Sequence, residues 1–231
     1  MAQPDSHRPP EKRGECRLVG RTGNAFALVD DRGWPSAEQI DQLQWAALRA
    51  APGERSISAG LSGLNDLFRM IEANHAWNRL LWAQEDQARR TEAPDAKIAG
   101  NKRAIDRYNQ RRNDAVEAMD EWLLSAGMPM RDDGWLNSET AGSIVDRLSI
   151  NALKIHHMAQ QVERSEAGAQ HVERCRAKLA VMRRQREDLL DCLQRLLNGL
   201  RDGSCGYRLY RQFKMYNDPS LNPCLYEARR G

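Results

Sequence analysis

From position 64 onward, hydrophobic residues recur at intervals of three and four, the spacing of helices with one apolar face. Four helices are predicted, over 64–90, 95–126, 137–164 and 169–202. The first turns Leu64, Leu67, Phe68, Ile71, Leu81 and Trp82 to one side. The second presents Ile98, Ile105, Val116, Met119 and Leu123, and the fourth Cys175, Met182, Leu189, Leu193, Leu196 and Leu200. Pro94, a Gly/Pro turn over 127–134 and a break at Gly168 separate them, and Gly203 ends the last. Long helices with short connections predict an all-α fold, an antiparallel up-down four-helix bundle with members ~40 to 50 Å long.

The third helix, capped in this reading by Asn137 or Ser138, has something to bury on two sides. Ala141, Ile144, Leu148, Ala152, Ile155, Ala159 and Val162 form one stripe. Opposite them Glu139, Asp146, Ile150, Leu153, His157, Gln161 and Arg164 fall close to one line. Apolar Ile150 and Leu153 predict that this face is covered too, leaving Asp146 and His157 partly desolvated.

The other seams also turn polar. Asn74, Asn78, Glu85 and Arg89 share the first helix's stripe, Asn101, Asn109 and Arg112 the second's, and Lys178 and Gln185 the fourth's. Aligning neighbours end to end brings Glu85, Arg89, Asn101, Asn109, His157 and Lys178 to one level. A second level holds Asn78, Arg112, Asp146 and Gln185.

Outside the bundle the pattern weakens. Residues 1–63 read as an appendage whose loss would be tolerated: a disordered Pro-rich start over 1–14, a hairpin over 16–30, and a short helix over 36–50 capped by Ser36. The bundle domain spans 64–226, and its last part, 207–226, is predicted to fold back as a cap over one opening, because Tyr207, Tyr210, Phe213 and Tyr216 recur every third residue. Residues 227–231 are expected to be disordered.

Composition adds few constraints. The 231-residue chain is 41% hydrophobic and 29% charged, with a net charge of only +3, so nucleic acid is not an expected partner. Its basic excess sits in the tail. Five cysteines without a CxxC argue against a disulfide framework or structural zinc. No apolar run has the length of a membrane span and the first thirty residues lack a signal-peptide core, so a cytoplasmic location is expected.

Ionised side chains in a helical core cost several kcal/mol, on the order given for buried ions, unless they are paired. One reading is a pocket in which Arg89, Arg112 or Lys178 holds an anion, Asn78, Asn109 and Gln185 line it, and Glu85, Asp146 and His157 supply acid-base groups. The other is a closed set of inter-helix pairs, such as Arg112 with Asp146, that sets register alone. Arg208, Arg211 and Lys214, interleaved with tail aromatics, form a further anion-binding candidate. No metal site is expected. The Glu-x-x-His at 72–75 has no second copy, and the adjacent His156 and His157 point ~100° apart on a helix. The run Arg183, Arg184, Gln185, Arg186 reads as a solvated face. The Gly-Arg-Thr-Gly at 20–23 lacks the Lys-Ser/Thr of a phosphate loop, no G-x-S-x-G occurs, and no cofactor motif is present.

Four stretches, NRLLWAQEDQARR at 78–90, AIDRYNQRRNDAVEAMD at 104–120, NSETAGSIVDRLSINALKIHHM at 137–158 and QFKMYNDPSLNP at 212–223, together resemble the bacterial family catalogued as domain of unknown function 4254. Family-like positions include Asn78, Glu85, Asp86, Arg89, Asp106, Asn109, Asn113, Asp120, Glu139, Asp146, Arg147, His157, Asn217 and Asp218. The resemblance covers 64–226 and implies a helical protein associated with glycosyltransferase and cell-surface polysaccharide or lipopolysaccharide genes. It carries no established activity. The expected function is binding, or acting on, a small anionic sugar-type ligand, a sugar phosphate or nucleotide-sugar, in envelope glycan assembly. The alternative is a non-catalytic adaptor for a glycosyltransferase. Whether the protein is an enzyme, and its oligomeric state, are left open by the residues.

Overall fold

The computed structural model describes residues 34–50, 66–127, 129, 131, 133–211, 215 and 218–226, and these are mostly helical. In chain order they form α1 (Ala37–Arg49), α2 (Asp66–Ala88), α3 (Asp95–Ser125), β1 (Trp135–Leu136), α4 (Ala141–Val162), α5 (Ala169–Asp202), β2 (Cys205–Gly206) and α6 (Pro223–Tyr226). The periodic stretches are therefore helices, and α5 has the predicted bounds. The hairpin expected over 16–30 lies outside the described residues.

α4 begins later than expected. Thr140, rather than Asn137 or Ser138, is its N-cap, its Oγ1 accepting the Ser143 N–H at 3.2 Å. Asn137 instead donates its side-chain N–H to the Glu139 carbonyl at 2.6 Å, closing a turn before the helix. Gly203, at φ 76°, ends α5 in the left-handed conformation that glycine adopts without steric cost.

α3 folds back on α2 and α5 on α4, the two most extensively packed pairs, and α4 also packs against both α2 and α3. Contacts between α2 and α4 advance together along the two helices, from Asn74 with Asp146 to Trp82 with His157. α3 and α4 run in opposite senses, with Asp120 meeting Gly142 and Arg112 approaching Asp146.

α1 departs from the appendage reading. Ser36 caps it as expected, in a reciprocal box: Ser36 Oγ accepts the Gln39 N–H at 3.1 Å and Gln39 Oε1 accepts the Ser36 N–H at 2.8 Å. Trp34, Ala37, Ile40 and Leu43 recur every third residue, and all are buried in the main core with Phe68, Ile71, Met119, Leu148, Leu193 and Leu197. Ala37 N–H donates to Gln194 Oε1 at 2.9 Å, and Arg201 spans from the Pro35 carbonyl to the Trp34 ring. Residues 34–50 thus belong to the same core as the long helices.

A buried carboxylate fastens α3, α4 and the C-terminal segment. Asp120 Oδ1 accepts the Gly142 N–H in the first turn of α4 at 2.7 Å and the Tyr207 hydroxyl at 2.6 Å. A Cβ at position 142 would lie 2.7 Å from both Asp120 Oδ1 and the Val116 carbonyl, so this approach requires glycine. Burial pushes the Asp120 carboxyl up, against the hydrogen bonds from Thr140, Tyr207 and Gly142 that favour its charged form. Just upstream of Tyr207, β2 pairs in parallel with β1, holding the α3–α4 connection against the end of α5.

If α1 is integral, Ile40→Ala in the full chain will lower unfolding free energy by about 2 to 5 kcal/mol, as for buried isoleucines elsewhere. Urea denaturation followed by near-UV circular dichroism measures this. A loss below about 0.5 kcal/mol, the range of surface substitutions, would return α1 to the status of an appendage.

Candidate functional site

The main apolar core ends at about mid-height of the long helices, where each contributes polar residues, and buried Leu81, Ile105, Leu153 and Leu179 lie beyond them. After Ile71, α2 continues with buried Asn74, His75 and Asn78; before Val116, α3 has Arg112 and buried Asn113; flanking Leu148, α4 has Asp146 and buried Ser149. These groups form a connected set. Asp146 Oδ1 accepts N–H groups from Asn74 and Asn78, both at 2.8 Å. Asn78 also donates to Ser149 Oγ at 3.0 Å, and Ser149 Oγ is hydrogen-bonded to His75 Nδ1 at 2.8 Å. The His75 ring is 1% exposed and its Nε2 has no hydrogen-bond partner. Burial, followed by the charges of Arg79 and Arg186, pulls its pKa down to about 4.

Arg186 completes this layer from α5. The run 183–186, expected as a solvated face, is solvated except here. Arg186 is buried, donating through Nε to Asp41 at 2.6 Å, through Nη1 to the Leu148 carbonyl at 2.7 Å and through Nη2 to Gln44 at 3.1 Å, while its guanidinium lies over the Trp45 ring. Three elements are joined through one side chain, whose donors match this set of acceptors.

Beside the polar layer a cleft of about 380 Å³ opens between α2, α3 and α4. It gathers the expected Asn78, Glu85, Arg89, Asn109 and Arg112, together with Asp86. Leu81, Trp82, Ile150 and Leu153 give it an apolar side. Both sides of α4 are thus engaged, as its two-faced pattern predicts, with Leu153 buried and Asp146 half-hidden.

Arg112, at the cleft, carries unmet hydrogen-bonding capacity. Its side chain is 25% exposed, and its one hydrogen bond among the described residues runs from Nη2 to Asn113 Oδ1 at 3.2 Å. Its buried Nε has no hydrogen-bond partner. Asp146, the partner expected for it, does form an ion pair with it, but a long one at 3.9 Å, since that carboxylate also accepts from the two asparagines. At the rim Glu85 and Arg89 pair with each other at 2.7 Å in an exposed i,i+4 arrangement.

Other candidates lie elsewhere. His157 stacks on Trp82 with ring centroids 4.5 Å apart and planes at 9°, so it braces the cleft wall rather than lining the cavity. Lys178 and Gln185 are exposed on α5, because the residues this helix buries, Cys175, Leu179, Arg186 and Leu193, define a stripe one position away. Gln185 lines a separate groove between α4 and α5. Arg211 pairs with Glu117 and Glu121 on α3, which ties down the chain after Tyr207, and Lys214 lies outside the described residues. Among the described residues, no group of three or more His, Cys, Asp or Glu is placed to hold a metal ion, and no helix is long and apolar enough to cross a membrane.

Residues 68–208 match the family model described as Protein of unknown function (DUF4254). No curated protein and no solved structure matches the chain.

His75 makes stability pH-dependent. Its folded pKa, about 4, lies below the unfolded value of 6.5, so the unfolded chain takes up a proton first as pH falls. The stabilisation is complete above pH 6.5 and lost as pH drops toward 4, on the order of 2 to 3 kcal/mol between pH 7 and 4.5. Urea denaturation across this range will show a shallower loss for His75→Asn than for the natural chain. Equal slopes would mean that His75 is protonated without cost in the folded protein.

Proposed function

The chain belongs to the DUF4254 family, and we propose that its α2–α3–α4 cleft binds a sugar-type ligand carrying a phosphate, a sugar phosphate or nucleotide-sugar, in cell-envelope glycan assembly. The envelope setting rests on the resemblance; the ligand class rests on the cleft. In this reading the four long helices act as an up-down bundle with α1 packed on its flank. Their common polar layer serves as the floor of the site.

The supporting observation is Arg112. A guanidinium mostly removed from water keeps strong hydrogen-bond donors that its long ion pair with Asp146 does not satisfy. A phosphate oxygen supplies what the protein leaves out. Trp82 and Leu81 give a sugar ring an apolar surface, while Asn78, Asn109, Glu85 and Asp86 offer both donors and acceptors for hydroxyls. The residues divide by role: Arg112 holds charge, Asp146 orients Asn74 and Asn78, and Glu85 at the rim is the carboxylate with access to a bound ligand. His157 positions Trp82.

An adaptor role draws support from a different surface. Trp135, Leu136 and Tyr210 are large apolar residues left exposed around the β1–β2 pair. A glycosyltransferase docked there would cover them without using the cleft.

The cleft reading is tested with purified full chain, glucose 1-phosphate, galactose 1-phosphate and UDP-glucose. At least one will raise the midpoint of thermal unfolding, because a ligand of the native state stabilises it. Arg112→Gln, with an unliganded midpoint near that of the natural chain, will weaken that binding tenfold or more by calorimetry, about the worth of one charged hydrogen bond. Equal binding by both proteins would remove Arg112, and with it the anion site.

A further inference from the structure

Ile150 lies on a ridge of α4 and lines two depressions at once. On one side is the cleft assigned to the sugar phosphate. On the other is a groove of about 700 Å³ between α4 and α5, bounded at one end by the turn before α4. From the shared residue and the groove's chemistry, we infer that the two form one elongated site and that the groove is a second sugar subsite, so that the natural ligand is an oligosaccharide phosphate rather than a single sugar. This inference rests on the cleft reading above and extends it.

The groove's polar groups select the ligand class. Glu139 and Asp188 are balanced by Arg147 and Lys154, so these charges sum to zero, and Asn151 and Gln185 add amide groups. A polyanion would meet the two carboxylates, and a polycation the two basic groups. A polyhydroxyl ring meets neither obstacle, since each hydroxyl both donates and accepts. Among the described residues no aromatic side chain lines the groove, so they offer no stacking surface for a base. Apolar Ile144 and Leu189 provide for the carbon face of a ring instead.

A second observation points the same way. Asn151 is 7% exposed and lines the groove; its Nδ2 donates to the Met182 carbonyl at 3.2 Å, but its buried Oδ1 has no hydrogen-bond partner. An acceptor without a donor is costly, and a turn of this amide toward the groove that it lines lets a ligand hydroxyl supply the donor. Arg147 and Lys154 stand seven residues apart on α4, roughly 10 Å along its axis. That length exceeds one sugar ring. A chain of rings running from Trp82 over Ile150 into the groove would use both depressions, with Arg112 holding the phosphate at the cleft end.

The test compares glucose 1-phosphate with maltose 1-phosphate, and galactose 1-phosphate with galactobiose 1-phosphate, so that each pair shares its phosphate-bearing sugar, by calorimetry on the full chain. The natural protein will bind at least one disaccharide phosphate tenfold or more tighter than its monosaccharide counterpart. Gln185 and Asp188 are exposed, so the double variant Gln185→Ala, Asp188→Ala keeps the fold; it will reduce the disaccharide's affinity to that of the monosaccharide and leave the latter unchanged. Arg112→Gln will weaken both. Equal affinities for mono- and disaccharide, or a double variant without effect, with Arg112 still required, would overturn the second subsite and leave the cleft reading standing. If none of the four binds in an Arg112-dependent way, both fall.

Discussion

The Asp120 carboxylate sets the spacing from which the rest of the architecture follows. A buried charge of this kind is tolerated because it faces the positive end of a helix and receives an N–H from the first turn of α4 and a hydroxyl from Tyr207. It draws α3 and α4 together so closely that position 142 has no room for a side chain. It also anchors the C-terminal segment, which continues to Arg211 and its two acidic partners on α3. With one end of the α3–α4 pair held in this way, the cleft lies ~12 Å further along α4, around Ile150.

The buried polar layer is the second organising feature. Asp146, Asn74, Asn78, Ser149 and His75 are linked through hydrogen bonds, while Arg186, Gln44 and Asp41 join α5 to α1 by others. Such a layer stabilises only when nearly every member is matched, and the unmatched atoms are then informative. His75 Nε2 is enclosed in the protein, whereas Arg112 and Asn151 each border a cavity. Unmet hydrogen bonding at the last two sites coincides with space for a ligand.

Much of the fold could be read from periodicity, because each long helix carries an apolar stripe and clear stops. Five cleft residues, Asn78, Glu85, Arg89, Asn109 and Arg112, could be read for the same reason: they interrupt apolar stripes. Where the reading failed, the error was in direction or in length. Lys178 and Gln185 fall on the stripe that Met182 and Leu189 suggest for α5, which is not the stripe it buries. The repeat of Leu179, Arg186, Leu193 and Leu200 at intervals of seven was the better guide, and it identifies Arg186 as buried. Thr140 does not stand out as the cap in the sequence because Asn137 and Ser138, equally good capping residues, precede it. Asp120 entered only through the family resemblance, since an acidic residue beside Met119 gives no sign that it meets a helix N-terminus 22 positions later. The integration of α1 was hidden by the Gly- and Ser-rich stretch before 64, which reads as a boundary although Trp34, Ile40 and Leu43 carry a core stripe.

The position of α1 in the chain has a consequence for kinetics. Its contacts with α5 join residues separated by 145 to 166 positions, as in Asp41 with Arg186 and Pro35 with Arg201. The α2–α3 and α4–α5 hairpins close over much shorter loops and meet a smaller entropic barrier. The hairpins are therefore expected to form ahead of the helix that seals them, and interactions made after the rate-limiting step act on unfolding rather than folding. On this argument α1 governs how long the native state persists more than how quickly it is reached.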